Sequence, residues 1–321
     1  MRNNIDELQK ETDLLFGAIS MRMNYWSYNK SIRRTKILLV EGATDKKFVD
    51  QYIKPEVLSQ IGTCTFGTDC ESRGRNVKKT IVQMVIGTAK FKALLRIPSC
   101  MQDVEITGLI DRDFDSETVY SQNKNLFVTD THDLETLILS TDASVLKRLD
   151  DCSLPDVDIQ RSVFRAYQIG VLIPVLHEYK IDTRSISGGD SRADYNSFFD
   201  EQDRVLLSRL LECLVGDKKI ARKFLLSAAK HRVIKSKFDK KHCWNGNLAV
   251  FYKDVPKDLW KKINGHDVLA LIMFFNDAAA LKFNSKSRLG RKFEMAIIEK
   301  YKKDNFKSTA VCKKMQERGV L

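Results

Sequence analysis

The sequence is poor in residues that punctuate or staple a chain. Proline occurs five times and glycine 15 times in 321 residues, which excludes collagen-like, proline-rich and low-complexity classes. No apolar run approaches the roughly 20 residues that a membrane-spanning helix needs. The opening stretch MRNNIDELQKETDLLF is charged where a secretory signal would be apolar. The seven cysteines, at 64, 70, 100, 152, 213, 243 and 312, form no Cys-x-x-Cys pair and no Cys/His set at zinc-ligand spacing. That argues against a disulfide framework and against structural zinc, so a reducing cytoplasm and no membrane partner are expected.

What the sequence has in excess is positive charge, and it is unevenly spread. Lys and Arg number 54 against 42 Asp and Glu, for a net charge of +12. Residues 1–150 are balanced at 21 of each sign, so the whole excess lies in residues 151–321, with 33 basic and 21 acidic side chains. A basic half points to a polyanion, most often nucleic acid. A Lys-rich solvated surface is the alternative.

Residues 3–26 carry Ile5, Leu8, Leu15, Phe16 and Ile19 at helical spacing. A basic stretch leads into Ile37-Leu38-Leu39-Val40, a run without alternation that suits a buried parallel strand. Thr44 reads as the N-cap of a helix bearing Phe48, Val49 and Tyr52. Further strands are expected near Gly62–Phe66, over Val104–Ile110 and over Asn125–Val128, with helices from Val77 and from Asp133. This alternation predicts an α/β fold: a small, mostly parallel sheet flanked by helices. Beyond residue 141 the pattern is largely α-helical, with helices expected over Arg161–Tyr179 (kinked at Pro174), Glu201–Val215, Lys218–Ile234 and His266–Phe283. The expected divisions are an N-terminal helix (1–35), a sheet domain (36–150) and a basic helical extension (151–321).

The acids of the first half sit at strand ends. Glu41 follows one expected strand, and Asp111, Asp113 and Asp115 follow another. Open parallel sheets bind ligands beyond the carboxyl ends of their strands. If the two strands are neighbours, Glu41 and Asp111-x-Asp113 converge, and alternation along an extended 111–113 segment would turn both aspartates to one side. Clustered carboxylates need protons or cations. Oxygen donors without His or Cys select Mg²⁺ or Mn²⁺ over zinc. Such an ion suits phosphodiester hydrolysis, because it can activate water and stabilise the leaving oxygen. Separately, each piece has a plainer explanation: strand-Glu-Gly is commonly a turn, and Asp-x-Asp-x-Asp is commonly a solvated loop.

These residues resemble a known family. Val40-Glu41-Gly42-Ala43-Thr44-Asp45 and Gly108-Leu109-Ile110-Asp111-Arg112-Asp113-Phe114 are similar to the two signature blocks of Toprim domains. The stretch Leu126 to Glu135, containing Asp130-Thr131-His132-Asp133, and the stretch Asn264-Gly265-His266-Asp267-Val268-Leu269 resemble blocks of a Toprim branch near the overcoming-lysogenization-defect (OLD-type) nucleases. Ser72-Arg73-Gly74-Arg75-Asn76-Val77 resembles that branch's glycine turn, with Arg75 where Lys is common. The best-known member of the branch is the Toprim effector of the PARIS anti-phage defence system.

The resemblance implies a Rossmann-like Toprim sheet and a Mg²⁺- or Mn²⁺-dependent endoribonuclease that cleaves host transfer RNA as a toxin in abortive infection. It further implies an ABC-type ATPase sensor that holds the effector inactive, and a homodimer when active. Glu41 would be the general base or a metal ligand, with Asp45 beside it. Asp111 and Asp113 would hold the ion, and Asp115 and Glu135 would serve a second metal position. A first-turn acid stabilised by its helix dipole explains Glu135 equally well. Toprim topoisomerases and primases fit less well: the chain is short for the first, and it lacks the zinc module of the second. A DNA endonuclease of the OLD type and a non-catalytic nucleic-acid-binding regulator remain as rivals.

The basic half concentrates its charge between Asp217 and His242, where ten Lys/Arg face two acids. Arg75, Lys218, Lys219, Arg222, Lys223, Lys230, Arg232, Lys235 and Lys237 are the candidate phosphate contacts. His231, His242 and Trp244 could stack on unpaired bases, or the segment is an amphipathic surface helix with Trp244 in the core. His266-Asp267 has the composition of an acid/base pair, but a preceding Gly and a following apolar run favour a helix start with Asp267 in its first turn.

Overall fold

The computed structural model describes residues 36–40, 43–52, 61–65, 100–101, 104–113, 126–142, 144–149, 154–178, 206–215, 219, 258–283 and 291–321. The chain divides into two compact units, Met1–Asp130 with Lys303–Leu321, and Thr131–Lys302.

The first unit is built on a sheet. Strands lie over Lys36–Val40 (β1), Ile61–Thr65 (β2), Cys100–Met101 (β3), Val104–Ile110 (β4) and Leu126–Val128 (β5). The order is β2-β1-β4, with β5 and the short β3 both on β4. All pairings are parallel except β3 with β4. The aliphatic run of β1 and the apolar end of β4 suit this placement: Leu38, Val40, Leu109 and Ile110 are buried. The α/β expectation therefore holds for this unit. The pairing of β3 was not anticipated, because two residues leave no pattern to read.

A helix over Ala43–Asp50 (α1) follows β1. It starts one residue before Thr44, so Thr44 lies inside the helix and is not its N-cap. Short helices over Lys303–Lys307 and Ala310–Glu317 belong to the same unit. Phe306 packs edge-on against Phe48 of α1, 5.0 Å between ring centres, and lies 4.5 Å from the ring of Tyr52. Asp130, just after β5, accepts the N–H groups of Ala310 at 2.6 Å and Val311 at 2.9 Å. A carboxylate on the free N–H groups of a helix start is favoured by hydrogen bonding and by the helix dipole. These contacts explain why the observed division differs from the expected one. The sheet unit ends at Asp130, not at 150, and it reclaims the chain at Lys303.

The second unit is helical. Its helices cover Leu134–Thr141 (α2), Asp156–Gly170 (α3), Ile173–Glu178 (α4), Leu207–Val215 (α5), Gly265–Phe275 (α6), Asp277–Phe283 (α7) and Arg291–Lys300 (α8). In the first unit, Lys303–Lys307 is α9 and Ala310–Glu317 is α10. The helix expected over 161–179 breaks at Val171–Leu172, ahead of Pro174. Pro174 sits in the first turn of α4, where a missing N–H is harmless. Gly170, the last residue of α3, has to be glycine, because a Cβ there would sit 1.7 Å from the carbonyl oxygen of Lys262. The helix expected over 266–283 is two, broken at Asn276, whose side chain accepts the Ala279 N–H at 2.9 Å and caps α7. α3 packs on α6, with Phe164, Val268, Leu271 and Ile272 fully buried.

No described helix is long and apolar enough to cross a membrane. The N-terminal helix, the helix from Val77 and, Lys219 apart, the helix over 218–234 fall outside the described residues.

Candidate functional site

Two places gather chemistry-bearing side chains, one in each unit. The first is the carboxyl rim of the sheet. Val40 is paired with Leu109 in parallel register, so the ends of β1 and β4 lie on the same rim. Asp111 and Asp113 follow β4 directly and are half-buried. The loop between them is held from the neighbouring strand. The N–H of Arg112 donates to Thr129 Oγ1 at 3.0 Å, and its Nε donates to the Thr129 carbonyl at 3.2 Å. Thr129 N–H in turn donates to the Ile110 carbonyl at 3.1 Å. Arg112 is thus a positioning residue that ties the end of β4 to the end of β5.

One detail departs from expectation. Asp113 has φ = 52°, so the extended backbone stops there and strict alternation does not carry through the pair. Asp tolerates this left-handed conformation better than most residues. Asp45 lies in the first turn of α1, half-buried. Glu41, Asp115 and Arg75 fall outside the described residues. Oxygen donors such as Asp111 and Asp113 fit a hard divalent ion. Among the described residues, no group of three metal-ligand side chains includes Asp45, Asp111 or Asp113.

The second place is buried, at the starts of α2, α6 and α8. Asp133 is the N-cap of α2 in a capping box: its Oδ1 accepts the Thr136 N–H at 2.8 Å, and the Thr136 hydroxyl accepts the Asp133 N–H at 3.0 Å. Its Oδ2 accepts the Gly265 N–H at 2.7 Å and contacts His132 Nδ1 at 3.0 Å. One carboxylate therefore joins the first turns of α2 and α6. Burial alone would raise its pKa. The His132 hydrogen bond and charge, the His266 charge and the Thr136 N–H outweigh burial and hold it at about 2.

Gly265 makes the approach possible. A Cβ there would lie 2.4 Å from Glu135 Cβ and 2.5 Å from Asp133 Oδ1. The next residue, His266, meets Glu294 of α8, Nδ1 to Oε1 at 2.9 Å. Glu135 completes the group, with one donor atom from each of Glu135, His266 and Glu294 within 4.8 Å of the others. The glutamates are 4% and 3% exposed, while the His266 side chain is 32% exposed. Burial disfavours the imidazolium. The charge of Glu135, the hydrogen bond and charge of Glu294, and the charge of Asp133 outweigh it and push the His266 pKa up to about 10.

His266 therefore pairs with Glu294 across 28 residues. The alternative helix-start expectation also holds: Asn264 caps α6 by accepting the Asp267 N–H at 3.2 Å, and Asp267 lies in the first turn. Glu135 is in the first turn of α2, as anticipated, but its buried neighbours give it more to do than face a helix dipole. Glu294 was not singled out from the sequence. A glutamate near the start of an amphipathic helix carries no local signal, and its role arises only when α8 meets α6.

Of the basic candidates, only Lys219 is described, as an exposed helical residue. Lys218, Arg222, Lys223, Lys230, Arg232, Lys235 and Lys237 lie outside the described residues. No protein-family model, curated protein or solved structure matches the chain.

Proposed function

We propose that the chain is a metal-dependent phosphodiesterase of the Toprim type, acting on RNA. The observation that carries this reading is the parallel β1–β4 register, Val40 with Leu109, which sets the strand preceding Glu41 beside the strand preceding Asp111 and Asp113. That is the adjacency the sequence argument required.

In this reading Asp111 and Asp113 hold a Mg²⁺ or Mn²⁺ ion, with Asp45 and Asp115 as further carboxylates and Glu41 as a ligand or the general base. When bound, such an ion supplies positive charge for the attacking and leaving oxygens and eases deprotonation of water. Glu41 takes the proton of the attacking water at a carboxylate oxygen. Arg112, anchored on Thr129, keeps the two aspartates in place. The basic segment between Asp217 and His242 contacts phosphates without reading sequence. The family resemblance supplies the finer proposal: a homodimeric toxin that cleaves host transfer RNA in anti-phage defence, restrained by an ABC-type ATPase until triggered.

The test is cleavage by the purified full chain of total transfer RNA and of duplex DNA, with Mg²⁺ or with EDTA. RNA fragments that vanish with EDTA are expected. Glu41→Gln and Asp111→Asn should each lower the rate by roughly 10²–10⁴-fold with an unchanged circular dichroism spectrum. Full activity in both variants would sink the reading. Cut DNA beside intact RNA would transfer it to the OLD-type nucleases.

A further inference from the structure

We propose that Glu135, His266 and Glu294, all within the helical unit, form a binding site for a borderline first-row dication, of the Mn²⁺, Fe²⁺ or Zn²⁺ class. It stands whether or not the chain cleaves RNA.

The donor set is the first argument. Two carboxylates and one imidazole make a mixed oxygen–nitrogen site, and imidazole favours transition ions over Mg²⁺. Three protein donors with one direction left open is the arrangement of reactive rather than structural metal sites.

Geometry is the second. The three donor atoms lie within 4.8 Å of one another. Donors about 2.1 Å from one ion in a tetrahedral array lie roughly 3.4 Å apart, so side-chain shifts of about an ångström close the set.

Construction is the third. The donors come from three helices, α2, α6 and α8, far apart in sequence. Gly265 leaves no side chain where the first turn of α6 meets Glu135 Cβ. The neighbouring Asp133 has its carboxylate taken up by Thr136, Gly265 and His132. Its contacts fix the first turns of α2 and α6, the backbone that carries Glu135 and His266.

Access is the fourth. Both glutamates are nearly closed off, while the His266 ring is 32% exposed. An ion would therefore reach the group from the His266 side.

The rival is a metal-free ion-paired strut in which His266 simply bridges Glu294 and Glu135. The two are separated by Mn²⁺ titration of the full chain carrying Asp111→Asn and Asp113→Asn, which disables the rim. One equivalent of Mn²⁺ should bind, raise the melting temperature, and give a nitrogen coupling from a single imidazole in pulsed electron paramagnetic resonance. In this background His266→Gln should abolish the coupling and weaken binding more than tenfold. Glu294→Gln should weaken it comparably while keeping the circular dichroism spectrum of the folded chain. Millimolar Mg²⁺ should not displace the Mn²⁺. No bound Mn²⁺, binding without nitrogen coupling, or affinity indifferent to Glu294→Gln would each overturn the site in favour of the strut.

Discussion

The two candidate sites are assembled in opposite ways. At the sheet rim, carboxylates sit on loops directly after strands, half-buried, and their register follows from β1 lying beside β4. In the helical unit the donors are buried and meet only because three helix starts converge. Losing a rim acid removes a solvated side chain and leaves the sheet standing. Losing a member of the buried cluster strands charge in a place from which water is largely excluded, which is far more costly. Substitutions at the rim can therefore test the proposed chemistry alone, whereas those in the cluster also test stability.

The contrast is sharpest at Gly265. Replacing it with alanine forces a methyl against Asp133 Oδ1 and Glu135 Cβ at 2.5 and 2.4 Å. A loss of about 3 kcal/mol is expected from overpacking and a disturbed cap, read as a drop in chemical-denaturation midpoint with unchanged slope. An alanine at 265 as stable as the parent would mean that the helix starts are not tightly apposed.

A second probe uses pH. The His266 pKa is raised to about 10 from the ordinary 6.5. Its contribution is fully present below the unfolded pKa, and it is lost as pH rises through the folded value. In EDTA, stability should fall steadily from about pH 6.5 to about pH 10, and His266→Gln should flatten that slope. Asp133, lowered from 3.8 to about 2, acts at the other end: its contribution is present above 3.8 and goes as pH falls through about 2. A parent and a His266→Gln variant with the same alkaline profile would show that the imidazole is not held by these acids.

The smallest effect belongs to the sheet unit. Asp130→Ala removes the acceptor for the Ala310 and Val311 N–H groups at a solvent-accessible helix start. Water replaces much of what is lost, so about 1 kcal/mol is expected by the same denaturation measurement. A loss as large as that for Gly265→Ala would erase the distinction between the two regions.

How much was legible in the sequence follows the same divide. The run at 37–40 announces itself because buried parallel strands are continuous and apolar. Asp111 and Asp113 were visible because a short motif holds both. The α6–α7 break at Asn276 was not, since Asn caps a helix only once the chain has turned there. Nor was Glu294, whose meaning depends on His266 in another helix. Sequence pattern exposes what one segment does alone; what several segments do jointly waits for the fold.

The return of Lys303–Leu321 to the sheet unit has a consequence for how the molecule is made. During synthesis β5 and α1 emerge early, but their partners, α10 and Phe306, come only after the whole helical unit has been translated. A domain interrupted in this way cannot finish folding on the ribosome until its distant segment appears. Its apolar surfaces wait uncovered in the interval, and a chain that stops early leaves Asp130 with no helix start to hold.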